Sequence, residues 1–158
     1  MKNLVCKGLV AACTVSCLTS MVSYAQSDKV VLQTDVIETL LVPESAEALS
    51  WERIEPEVLT MPRGIERAGA RGCAIFSITI DENGEVDDIT TETVVPSFGL
   101  RRHAKEYVSS WKWRAKSNGG IEETVLLRLD FCIGGATKEE VRQICLYQAT
   151  LPCSNKRS

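Results

Sequence analysis

At 158 residues, 44% hydrophobic and 25% charged, the chain has room for one ordinary domain plus an extension. Its composition is neither disordered nor fibrous. A net charge of −3 without a long Lys/Arg block excludes a nucleic-acid footprint. One histidine, His103, cannot build a histidine metal site, and the reading is no catalytic residue, no metal and no cofactor.

Residues 1–25 read as a signal peptide. Lys2 and Lys7 give a basic start, and Leu9 to Val22 form an apolar stretch shorter than the roughly 20 residues a membrane span needs. Ser23-Tyr24-Ala25 supplies small residues at the cleavage positions, so the expected mature chain begins at Gln26. It keeps Cys73, Cys132, Cys145 and Cys153, which in an exported protein point to two disulfides rather than four free thiols. No CxxC pair occurs, which argues against a zinc knuckle or a dithiol redox centre.

Residues 26–55 form an acidic lead segment or linker, with Asp28, Asp35, Glu38, Glu44, Glu47, Glu52 and Glu55 set against Lys29 and Arg53. Val30-Val31-Leu32 and Leu40-Leu41-Val42 are apolar enough to dock, but periodicity does not decide between strand and helix turn.

The compact domain spans 56–133. Pro62 opens a short helix over 62–68, closed by Gly69 and Gly72. From Cys73 the chain alternates: Ala74, Phe76, Ile78 and Ile80 share one face, and Cys73, Ile75, Ser77 and Thr79 the other. Asn83-Gly84 marks a hairpin into a strand at 86–95, where Val86 and Ile89 break parity and predict a bulge. Leu100, Ala104, Tyr107, Val108 and Trp111 recur at helical spacing, predicting a helix over 98–113. The last strand, 123–133, turns Val125, Leu127, Leu129 and Phe131 inward, and Thr124, Leu126, Arg128, Asp130 and Cys132 outward. Residues 134–158 are a cysteine-containing tail. The fold class is α+β, β-β-α-β, a three-stranded antiparallel sheet with one long helix packed on one face.

Each chemical signal has a plainer reading beside it. Trp111, Trp113, Tyr107 and Phe76 resemble a stacking platform, but their spacing is that of a helix stripe and an inner strand face. Asp81, Asn83 and Glu85 fit a solvated hairpin tip better than a calcium loop. Arg101, Arg102, Lys105 and Lys112 form either a face that steers an acidic partner or an ordinary solvated helix side.

In this order and spacing the motifs resemble the C-terminal domain of TonB energy transducers. The matching residues are Pro62 before the helix, Gly69-Ala70-Arg71-Gly72 as a GxxG, and Ile78-Thr79-Ile80-Asp81 leading into Asn83-Gly84-Glu85-Val86. They continue with Leu100, Ala104, Val108 and Trp111 on the helix, then Trp113 and the Asn118-Gly119 turn. The resemblance implies a non-enzymatic protein-binding module of the Gram-negative envelope, periplasmic after signal cleavage and inner-membrane anchored only without it. It also implies capture of an extended receptor peptide, the TonB box, by strand addition in TonB-dependent transport. The expected capturing edge is the last strand, with Thr124, Leu126, Arg128 and Asp130 as contact residues. The alternative is a structural protein whose partner is a second copy, or whose own segment 30–42 covers that edge. Parity also makes Cys73 and Cys132 neighbours on the outer face, predicting a Cys73–Cys132 disulfide and, by elimination, Cys145–Cys153.

Overall fold

The computed structural model describes residues 31–42, 49–117 and 119–154. The proposed signal peptide therefore lies outside the described residues. The first two elements come from the lead segment: strand β1 (Gln33–Val42) and strand β2 (Trp51–Glu55). Helix α1 (Arg63–Arg67) follows, then strands β3 (Gly72–Ile80) and β4 (Val86–Val95). Helix α2 (Arg101–Ser109), strand β5 (Lys112–Ala115), strand β6 (Glu123–Gly134) and helix α3 (Lys138–Ala149) complete the order.

The class is α+β, as read, but the main sheet has four strands in the order β1-β6-β3-β4. All of its neighbours are antiparallel. A second ribbon pairs β2 with β5. The β3–β4 hairpin turns where Asn83-Gly84 signals it. Gly84 has φ of +80°, and a Cβ there would lie 2.0 Å from the Trp113 carbonyl oxygen, so no other residue fits without moving backbone. The register slips between Thr79 and Ile80, opposite Asp88 and Val86, which is the bulge that the broken parity predicts.

Helix α2 is shorter than the apolar stripe suggests. The hydroxyls of Ser109 and Ser110 donate to the carbonyls of Glu106 (2.8 Å) and Tyr107 (2.7 Å), drawing off acceptors at the helix end. Trp113 then enters β5 rather than a further turn, and its N–H donates to Gly84 O at 2.8 Å.

One face of the sheet carries the main core. Ala74, Phe76, Ile78 and Ile80 of β3 and Val125, Leu127, Leu129 and Phe131 of β6 meet Ile65 of α1 and Leu100, Ala104 and Val108 of α2. Trp111 and Phe76 are fully buried and Trp113 nearly so, which makes them core rather than a stacking platform. The opposite face is not left to solvent at its upper end. Helix α3 packs there, joining Val141 and Cys145 to Ile37 and Cys132 in a second, smaller cluster. The tail is therefore a structural layer. Its start is capped by Thr137, whose hydroxyl accepts from Glu140 N–H, while Glu140 Oε2 accepts from Ala136 N–H.

Candidate functional site

The expected capturing edge is not an edge. β6 pairs with β3 along Glu123–Phe131 and with β1 along Leu126–Gly134. From Leu126 to Phe131 both of its hydrogen-bonding sides are occupied by strands of the same chain, one of them the lead segment 33–42. This corrects the placement of a docking strand at Leu126, Arg128 and Asp130, while Thr124 lies beyond the β1 pairing. Thr124 shares a hydroxyl–hydroxyl contact of 3.1 Å with Thr79, and Leu126 is half-buried.

Arg128 and Asp130 belong to the interior. The guanidinium donates to both carboxylate oxygens of Asp130, at 2.7 and 2.9 Å, in a bidentate pair. It also donates to the carbonyls of Leu151 (2.8 Å) and Gln148 (3.1 Å) beyond and within α3. Gln148 Nε2 returns a bond to Asp130 (3.1 Å) and another to Gly72 O (2.8 Å). Asp130 has no exposed surface and Arg128 is 8% exposed. The pair ties α3 and the following turn to the sheet rather than meeting a partner.

The disulfides also differ from the parity argument. Cys73 is bonded to Cys153 and Cys132 to Cys145, with Cα separations of 5.7 and 5.5 Å. In the observed register Cys73 lies opposite Asp130, so Cys132 is its diagonal neighbour two positions on. Diagonal positions stand roughly 7–8 Å apart, too far for a relaxed bridge. Helix α3 instead brings Cys145 over Cys132 and returns the tail to Cys73.

Because β1 heads the strand order, its outer side is one of the two edges of the four-stranded sheet. Two adjoining hollows of about 470 and 370 Å³ run along it. They share Asp35, Val58, Leu59 and Arg142, so β1 forms one wall and segment 57–61 the other. That second wall is anchored. Thr60 N–H donates to the Tyr107 hydroxyl at 3.1 Å, whose pKa burial raises, and Arg53 donates to Pro56 O. The Arg53 guanidinium also lies 4.9 Å over the Trp111 ring and pairs with Glu38 of β1 at 2.9 Å. Burial holds the Glu38 carboxyl above its ordinary value even though Arg53 pulls the other way. Val58 of the trough wall is 71% exposed, apolar surface without a covering layer among the described residues, and Val31 and Leu32, just before β1, are exposed as well.

The other edge, β4, is fringed by exposed Asp87, Asp88 and Glu92, a pattern that discourages strand pairing. The hairpin tip is an Asx turn. Asp81 Oδ1 accepts the N–H groups of Asn83 (2.9 Å) and Glu85 (2.8 Å), and these bonds lower the Asp81 pKa. Among the described residues no group of acidic, His or Cys side chains is placed to hold a metal ion. The predicted basic face divides. Lys112 leaves it to pair with Glu85 at 2.5 Å, while Arg101, Arg102 and Lys105 remain on α2 beside the exposed Phe98. His103 sits within that helix against Glu106 at 3.2 Å.

Comparison with known proteins adds one family. Residues 58–133 match the family described as Gram-negative bacterial TonB protein C-terminal. The solution NMR structure of the Pseudomonas aeruginosa TonB CTD is similar at 20% identity, covering 54% of this chain and 86% of that chain, with a TM-score of 0.39. No curated protein matches the chain. The matched span opens on the trough wall at Val58 and closes inside β6. Both elements that cover β6, strand β1 and helix α3, lie outside it.

Proposed function

Residues 58–133 belong to the TonB C-terminal family, a family of envelope protein-interaction domains, and from that premise we propose that the chain captures an extended segment of an envelope protein as an added strand on the outer edge of β1. The partner is an outer-membrane receptor peptide or a comparable periplasmic segment. One observation supports this reading above the others: β6 is paired on both sides, while β1 presents an open edge beside an anchored trough. Main-chain hydrogen bonds along β1 would supply affinity, and the hollows at Val58 and Leu59 would accept alternate side chains.

Titrating a synthetic TonB-box peptide into isotope-labelled mature protein tests it by amide chemical shifts. Shifts concentrated at 33–38 and 57–61 are expected. Shifts spread along 124–131, with loss of the β1 pairing, would place capture at β6 and overturn the proposal. The second reading, self-association, draws on the same open edge: two β1 strands can pair across a two-fold axis. A concentration-dependent dimer in light scattering, with no peptide response, would favour it. In either case the chain acts in the periplasm after cleavage at Ala25. Mass spectrometry of the N-terminus checks this: Gln26 supports a free domain, and a retained Met1 an inner-membrane anchor.

A further inference from the structure

A second surface lies apart from the β1 edge, and its lining shares no residue with the trough. Between α2 and the loop at 97–99 a cleft of about 1000 Å³ is bordered by Ala68, Phe98, Arg101, Arg102, Lys105 and Glu106. Phe98 is 91% exposed, the most wasteful position for an aromatic ring in water unless something covers it. It follows Pro96 and Ser97, outside any helix or strand, so no packing requirement within the described residues places it there.

The charge around it is one-sided. Arg101, Arg102 and Lys105 outnumber Glu106, which is engaged at 4.0 Å by Arg102 and at 3.2 Å by His103. Arg101 and Lys105 make no ion pair among the described residues. The chain carries a net charge of −3, yet among the described residues Glu106 is the one acid that lines this cleft. The cluster is too small to hold a nucleic acid by counterion release. It is also concave, whereas a membrane surface calls for a convex or flat apolar face.

We propose that this cleft is a second docking site, which takes an acidic protein segment carrying an apolar side chain. The apolar group would pack on Phe98 and Ala68, and the acidic residues beside it would meet Arg101 and Lys105. Such a partner satisfies both features at once. An uncharged apolar peptide would leave the cations unused, and a purely acidic one would leave Phe98 in water.

The test uses the full mature chain and a fluorescein-labelled decapeptide of Glu and Ser with one central Leu. A control peptide carries Gln at every Glu. Anisotropy is expected to show saturable binding of the acidic peptide, weakening as salt is raised, and none of the control. Phe98→Ala is expected to weaken binding about tenfold, since it removes most of the apolar contact. Arg101→Gln with Lys105→Gln should weaken it several-fold, because exposed pairs are individually modest. Each of these side chains is solvent-facing, so unchanged thermal melting by circular dichroism is expected and separates binding loss from unfolding. Wild-type affinity in Phe98→Ala, or equal binding of the Gln peptide, would overturn the proposal. So would co-sedimentation with phosphatidylglycerol vesicles in the absence of peptide binding, which would assign the surface to a membrane. None of these outcomes bears on the β1 edge.

Discussion

Asp130 carries a carboxylate with no exposed surface, paired with one guanidinium and hydrogen-bonded by one side-chain amide. Removing one partner of such a pair leaves a buried charge, which typically costs about 3–5 kcal/mol. Asp130→Ala is therefore expected to lower stability by that amount in urea unfolding. Arg128→Met with Asp130→Asn, which removes both charges with little change of volume, should cost far less. A loss below about 1 kcal/mol in Asp130→Ala would mean that water reaches the pair. Glu38 makes a pH prediction. Because burial raises its carboxyl pKa in the folded state, the folded chain binds that proton more tightly than the unfolded chain. Its contribution is fully present below the ordinary value of 4.5 and is lost as pH rises through the raised one. Relative to Glu38→Gln, the wild type should lose stability as pH climbs out of the acidic range. The opposite trend would show that attraction to Arg53 outweighs burial.

Two disulfides hold α3 and its tail, and their loops differ in length. Cys73–Cys153 spans 80 residues and Cys132–Cys145 spans 13. On the chain-entropy account the longer loop contributes about 1.5 kcal/mol more. Replacing Cys73 and Cys153 with Ala should thus lower the unfolding midpoint further than replacing Cys132 and Cys145; equal losses would point to packing around α3 as the dominant effect. The helix carries a legible sequence signal within the segment read as a tail. Thr137 followed by Glu140 is a capping signature, with Val141 and Cys145 one turn apart beneath it. The strands of the domain were easier because Cys73–Ile80 and Glu123–Ile133 alternate cleanly and Asn83-Gly84 fixes a turn. β1 was not, since Gln33–Thr39 mixes polar and apolar residues without a period, and only pairing to β6 makes it a strand. Parity assigned the faces of Arg128, Asp130 and both sheet cysteines correctly. It carries no information about what covers a face or an edge, so an open edge is expected where β1 pairs, and a Cys73–Cys132 bond where α3 lies. A proline at Leu126 or Arg128, which would report on a docking edge, instead breaks the ladder of an interior strand.

Across the whole molecule, the family segment is wrapped by pieces that come from outside it. β1 closes the open side of β6, and α3 closes the second face. A chain beginning at Pro43 should expose the β6 edge and the apolar surface that Val36 and Ile37 cover, and so form dimers or larger species in light scattering. A stable monomer would show that β1 is an ornament on a domain already complete. The wrapping also orders events in time. Both covalent bonds take their second sulfur from the end of the chain, at Cys145 and Cys153. During synthesis, a stretch from 31 to 144 holds only Cys73 and Cys132, diagonal neighbours across β3 and β6. In a chain cleaved at Ala25 as proposed, an oxidant that acts before the sheet has closed can join only those two, in a linkage the finished molecule does not contain. For such a chain, correct pairing would depend on a delay: the thiols stay reduced until the final residues have arrived, or an isomerase reopens the early bond.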